Sequence, residues 1–92
     1  ATAHSVTLNI VMGNDPGVLG RICTLIGEQR ANISNVDFVD RKPDFFRILM
    51  TVEARNVEHV HRVITVADAD SDVADLTRTK DLSRAPYPVP RP

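Results

Sequence analysis

The hydrophobic period of this chain switches from two to about 3.6 and back, then repeats the switch, which restricts its fold to very few arrangements. In "SVTLNIVM", Val6, Leu8, Ile10 and Met12 alternate with Thr7, Asn9 and Val11, the pattern of a strand buried on one face. "GNDPG" breaks the pattern. Asp15 is expected to cap a helix, with Pro16 as its first residue, where a missing N–H costs nothing. Val18, Leu19, Ile22, Leu25 and Ile26 then recur at helical spacing, and Arg21, Glu28 and Arg30 point outward, to an end near Gln29–Ala31.

"NISNVDFVD" is the second strand. Ile33 and Val36 fall on opposite parities in it, which a bulge would reconcile. "RKPD" turns the chain, because Pro43 cannot sit inside a ladder. In "FFRILMTVE", Phe46, Ile48, Met50 and Val52 face one way and Phe45, Arg47, Leu49, Thr51 and Glu53 the other. A second helix starts at Asn56, a good N-cap, and runs through Val57, Val60, Ile64 and Ala67. "DSDVADLTRT" reads as a short fourth strand. The order β-α-β-β-α-β, with right-handed crossovers, places both helices on one face of a four-stranded antiparallel sheet. This is the α+β, ferredoxin-like arrangement, and it leaves the other sheet face open. It occupies residues 5–79, and the proline-spaced residues 80–92, ending in "APYPVPRP", are expected to form an extended, mobile tail.

Composition narrows the function classes. A net charge of −1 exerts no general pull on nucleic acid or an anionic membrane. No apolar run approaches the ~20 residues that span a bilayer. Cys23 is the only cysteine, and no basic leader precedes an apolar core, so a cytoplasmic setting is expected. His59 and His61 lie two apart on a helix, point apart, and are read as solvated. Cys23 is read as a packing residue, and Asp68, Asp70, Asp72 and Asp75 as a solvated charge run. No nucleophile, base and oxyanion site assemble, so the chain is not expected to be an enzyme, to hold a metal or to need a cofactor. The first strand also lacks the aromatics of an RNA-recognition module.

Gly13, Gly17 and Gly20 crowd the first turn, but they fit neither dinucleotide nor P-loop spacing, and no lysine follows. A carboxylate suits the N–H groups of Gly17, Val18 and Leu19 better than a phosphate does. The residues alone leave two readings open: a ligand carboxylate sits there, or the Asp15 side chain caps the helix.

"VMGNDPGVLGRICTLIGEQRANISNV" resembles the core signature of an ACT domain, and the likeness spans residues 5–79. Within that family, "ANISNVDFVDRKPDFFRILMTVE" is most similar to the C-terminal ACT domain of bacterial RelA/SpoT homologues, which make and hydrolyse (p)ppGpp. The regulatory subunit of acetolactate synthase is a more distant likeness. The resemblance implies a regulatory module that binds a small amino acid between two copies, as a homodimer.

By that likeness Asn14 and Asp15 lie in the binding turn, and the N–H groups of Gly17, Val18 and Leu19 meet the ligand carboxylate. Asn32 reaches the ligand from the neighbouring copy. Met12, Val18, Leu19 and Ile33 would surround the ligand side chain. Met12 stands where serine-binding relatives carry histidine, which favours a branched-chain amino acid, valine or isoleucine. The resemblance further implies contact with other domains of a parent synthetase/hydrolase, and in some members with the ribosome or phosphotransferase-system proteins. It would also make abundant amino acid favour hydrolysis. The alternative is a ligand-free dimerisation or docking module using the edge strand or Arg47, Leu49 and Thr51 on the open face.

Overall fold

Each periodic segment forms the element its pattern implies. The computed structural model describes residues 4–79, so the tail expected at 80–92 lies outside the described residues. The order is β1 (His4–Gly13), α1 (Val18–Glu28), β2 (Asn32–Arg41), β3 (Phe45–Ala54), α2 (Val57–Asp68) and β4 (Val73–Arg78). The strands form one four-stranded sheet in the order β2-β3-β1-β4, with every neighbour antiparallel.

The central pair sets the core. Leu8 opposes Met50, Ile10 opposes Ile48, and Met12 opposes Phe46. This face packs against Val18, Ile22 and Ile26 of α1 and Val60, Val63 and Ala67 of α2. Leu8, Ile10, Met12, Ile22, Ile26, Ile48 and Met50 have no exposed surface. Burying each of these side chains contributes about 1.5–3 kcal/mol, and both helices are thereby held on one side of the sheet.

The parity conflict in β2 is resolved by an extra residue. Ile33 opposes Val52 and Val36 opposes Met50, so both face the helices while the register slips between Ile33 and Asn35. A second slip lies between Phe38 and Asp40. No helix of the described residues is long and apolar enough to cross a membrane.

Two polar expectations are corrected. His59 is not solvated but 1% exposed. Its Nδ1 accepts from the Arg55 N–H at 2.9 Å, which leaves Nε2–H to donate to the Gln29 carbonyl at 2.5 Å. The ring therefore ties the start of α2 to the end of α1. Asp70 and Asp72 are not a free charge run either. Arg21 Nε donates to Asp70 at 2.7 Å, and Nη2 reaches both carboxylates.

Candidate functional site: the open start of helix α1

The turn between β1 and α1 is pinned from two sides. The Gly13 N–H donates to the Asp72 carbonyl and the Asn14 N–H to the Asp44 carbonyl, both at 2.9 Å. Asn14 Nδ2 also donates to the Lys42 carbonyl at 3.0 Å, which leaves its Oδ1 available. This amide holds the first loop against the β2–β3 hairpin.

The helix then begins later than the Asp-Pro pair suggests. Gly17 is the N-cap, in the left-handed region at φ 87°, and no side chain caps the helix. The expected Asp15 cap and Pro16 start are therefore wrong. A left-handed residue at position 17 re-aims the backbone after Pro16, so helical geometry starts only at Val18. Asp15 contributes its main-chain carbonyl, which accepts from the Val18 N–H at 3.3 Å. Among the described residues, no group accepts from the N–H of Gly17, Leu19 or Gly20. Such donors, at the positive end of the helix dipole, have the chemistry to meet an anion.

Arg21 does not compete for that anion. Its hydrogen bonds to Asp70 and Asp72 raise its pKa further above its ordinary value and join α1 to the α2–β4 loop. The Arg21 guanidinium, helped by the Asp72 N–H, holds the Asp70 carboxyl down at about 2. Burial pushes the Cys23 thiol up, in keeping with its packing role.

The remaining site candidates separate into three groups. Asn14, Asp15 and Gly17 are exposed around the turn, and Leu19 is half-buried beside it. Met12 and Val18 are sealed in the core at 0% and 2% exposure, so neither lines an accessible pocket in this chain. Met12 continues the inward row of Val6, Leu8 and Ile10, and packing takes it. Asn32 and half-buried Ile33 lie at the other end of the sheet. Asn32 opposes Glu53, which opposes Ser5, whereas Asn14 follows Gly13, which opposes Phe45. Eight strand steps separate those levels, about 26 Å. Among the described residues, Asn32 Nδ2 donates to Glu53 alone, at 3.1 Å.

Two residues not singled out from the sequence stand near the turn's end of the sheet. Phe38, 49% exposed on edge strand β2, packs its ring 5.5 Å from that of Phe46. Arg41 sits 5.0 Å over the Phe38 ring. The signal that could have found them is an aromatic and a cation on one edge-strand face beyond the reach of the helix.

The comparisons with known proteins agree with this fold. The family model described as ACT domain matches residues 1–78. The chain is 31% identical over 65 residues to the GTP pyrophosphokinase rsh of Brucella suis biovar 1 (strain 1330), covering 71% of this chain and 9% of that protein. Among solved structures, it is similar to the ACT domain from the GTP pyrophosphokinase of Chlorobium tepidum. That match has a TM-score of 0.71 and 17% identity, covering 84% of this chain and 99% of that one. A similar fold occurs in the C-terminal domain of the MgtC protein from Mycobacterium tuberculosis, with a TM-score of 0.64 and 6% identity over 83% and 85% of the two chains. Strand order and family match converge: the chain belongs to the ACT domain family.

Proposed function

We propose that this chain is the amino-acid-sensing module of a RelA/SpoT-type GTP pyrophosphokinase, with a branched-chain amino acid as its ligand. The observation that carries the reading is the uncapped start of α1 beside Asn14, where the N–H groups of Gly17, Leu19 and Gly20 have no partner among the described residues, while that of Val18 is taken by the Asp15 carbonyl. Asn14 Oδ1 and the Asp15 carboxylate accept from the ligand ammonium.

Asn32 belongs to the site only through a second copy, because it lies at the far end of its own sheet. In an antiparallel pair of chains each turn faces the partner's Asn32, which gives two equivalent sites per dimer. With Met12 sealed in the core, the side-chain subsite is formed by Leu19 of one copy and Ile33 of the other, both half-buried and apolar. That lining favours valine or isoleucine over serine, whose hydroxyl would be left unpaired.

In the parent enzyme the ligand acts by binding one conformation better than the other, and abundant amino acid favours hydrolysis over synthesis. The chain spans 9% of the Brucella relative's length, so the catalytic domains lie outside it.

Mixed dimers test the shared site. Asn14→Ala and Asn32→Ala should each weaken valine binding about tenfold or more, since each leaves ligand groups unpaired. A heterodimer of the two variants should regain one intact site. Loss of binding in the heterodimer as well would place both asparagines in a single-chain site and overturn the arrangement.

A further inference from the structure

Both edge strands of the sheet carry an extra residue near one level. Val39 is the extra residue of β2, between Phe38, which opposes Ile48, and Asp40, which opposes Arg47. Ala74 is that of β4, between Val73, which opposes Met12, and Asp75, which opposes Val11. Arg47 and Val11 oppose each other on the central pair, so both bulges adjoin one row. A bulge bends its strand and sharpens the local twist. At this row the sheet has an open hollow of about 240 Å³. Val11, Phe45, Phe46 and Ala74 give it an apolar lining, and Phe45 is 47% exposed. Its charged members are Asp40, Lys42 and Arg47. Lys42 Nζ lies 3.8 Å from Asp40 Oδ1, so those two charges offset each other. The exposed Arg47 guanidinium has no ion-pair partner among the described residues. The hollow therefore holds one uncompensated positive charge beside apolar walls. Its hairpin side is fixed, because the Lys42 N–H donates to the Phe45 carbonyl at 2.7 Å and the Lys42 carbonyl accepts from Asn14 Nδ2.

Charge, polarity and size together select the occupant. A cationic group would be repelled by Arg47. A polyphosphate would bring more negative charge than one guanidinium offsets, and Asp40 and Asp75 at the two ends of the row would repel it. The volume lies below the roughly 300–1,000 Å³ of pockets for drug-sized ligands, which suits a small molecule rather than a protein segment. We propose that the hollow binds a small monocarboxylate with an apolar body, its carboxylate on the Arg47 guanidinium and its body against Val11, Phe45 and Ala74. A guanidinium meets a carboxylate through two parallel hydrogen bonds, and covering the exposed apolar lining adds to the affinity. None of the N–H donors at the start of α1 lines this hollow, so the site is a second one and does not rest on the amino-acid reading.

Proton–nitrogen correlation NMR of this chain, titrated with hydrocinnamate as the probe, tests the site. The amides of Val11, Phe45, Arg47 and Ala74 should shift together and saturate. Hydrocinnamamide, with the same body and no charge, should bind about tenfold more weakly or worse, and so should inorganic phosphate, which lacks the apolar body. Arg47→Gln should weaken the probe about tenfold or more, and Arg47→Lys should restore part of the loss. Absence of saturable shifts overturns the proposal, as does equal affinity for the acid and its amide. Shifts confined to Gly17, Leu19 and Gly20 would place the carboxylate at the start of α1 and overturn it too. So would shifts of the hollow's amides on diluting the chain alone, which would mean that a second copy covers it. Titration with L-valine reads the start of α1 separately, so the failure of one site is told apart from the failure of the other.

Discussion

At the start of α2, Asn56 Oδ1 accepts from the His59 N–H at 2.8 Å and Glu58 adds an anion to the first turn. The start of α1 has a glycine for a cap and no acid in its first turn. The closed end spends its donors inside the molecule and fastens one helix to the other through His59. The open end is rigidly mounted by Gly13, Asn14 and Arg21, yet its own donors stay unused. Preorganised donors without a partner in the protein are what the proposed ligand carboxylate would use.

The sharpest way to break this contrast is to open the closed end. His59→Ala leaves the Gln29 carbonyl and the Arg55 N–H without their partner, and chemical denaturation should show a loss of about 3 kcal/mol. Amino-acid binding should survive wherever the variant is folded. A loss well under 1 kcal/mol would mean that the ring does not fasten the helices.

The glycines of the open end offer a test of sign. Gly17→Ala forces a Cβ into the left-handed region and should cost about 1–2 kcal/mol, although nothing lies within 4 Å of the new atom. Gly20→Ala, inside α1 and equally unobstructed, should instead stabilise by up to ~1 kcal/mol while keeping its N–H for the ligand. Thermal denaturation of the pair distinguishes a conformational role at position 17 from loose packing around both.

Asn56→Ala removes the side-chain cap of α2 and should cost about 1 kcal/mol without altering amino-acid affinity. The smallest effect concerns the mounting of the open end. Asp70 titrates at about 2 when folded against an ordinary 3.8, so its pairing with Arg21 stabilises fully above the ordinary value. That contribution is lost as pH falls toward the folded value. Melting curves of the native chain and Arg21→Ala should therefore differ near neutral pH and converge as pH drops below about 4. A gap that persists into acid would exclude the ion pair as its cause.

All six elements were legible in the sequence: β1, α1, β3 and α2 bury one face and carry its period in plain view, whereas the edge strands β2 and β4 bury no residue fully and carry weaker patterns. Even the β2 bulge was announced by the clash of parity between Ile33 and Val36. The start of α1 was not, since Asp15-Pro16 is an ordinary cap-and-first-residue pair and only the backbone angle at Gly17 displaces it. Met12 shares its parity with Val6, Leu8 and Ile10, so the strand pattern already marked it as core, and the pocket role inferred from family likeness yields to that packing. His59 shares the i, i+4, i+8 stripe of Val63 and Ala67, which signalled burial beneath its polar identity. The pairing of Arg21 with Asp70 and Asp72 crosses some fifty positions and has no local signature. Asn14 and Asn32 were legible as candidates only, and their placement at opposite ends of the sheet emerged from the register.

Calorimetric titration of this chain with L-valine, L-isoleucine and L-serine tests the central claim most directly. An open helix start shared with a second copy predicts one ligand per chain, with valine or isoleucine bound more tightly than serine. Absence of heat with all three, or tighter binding of serine, would contradict it.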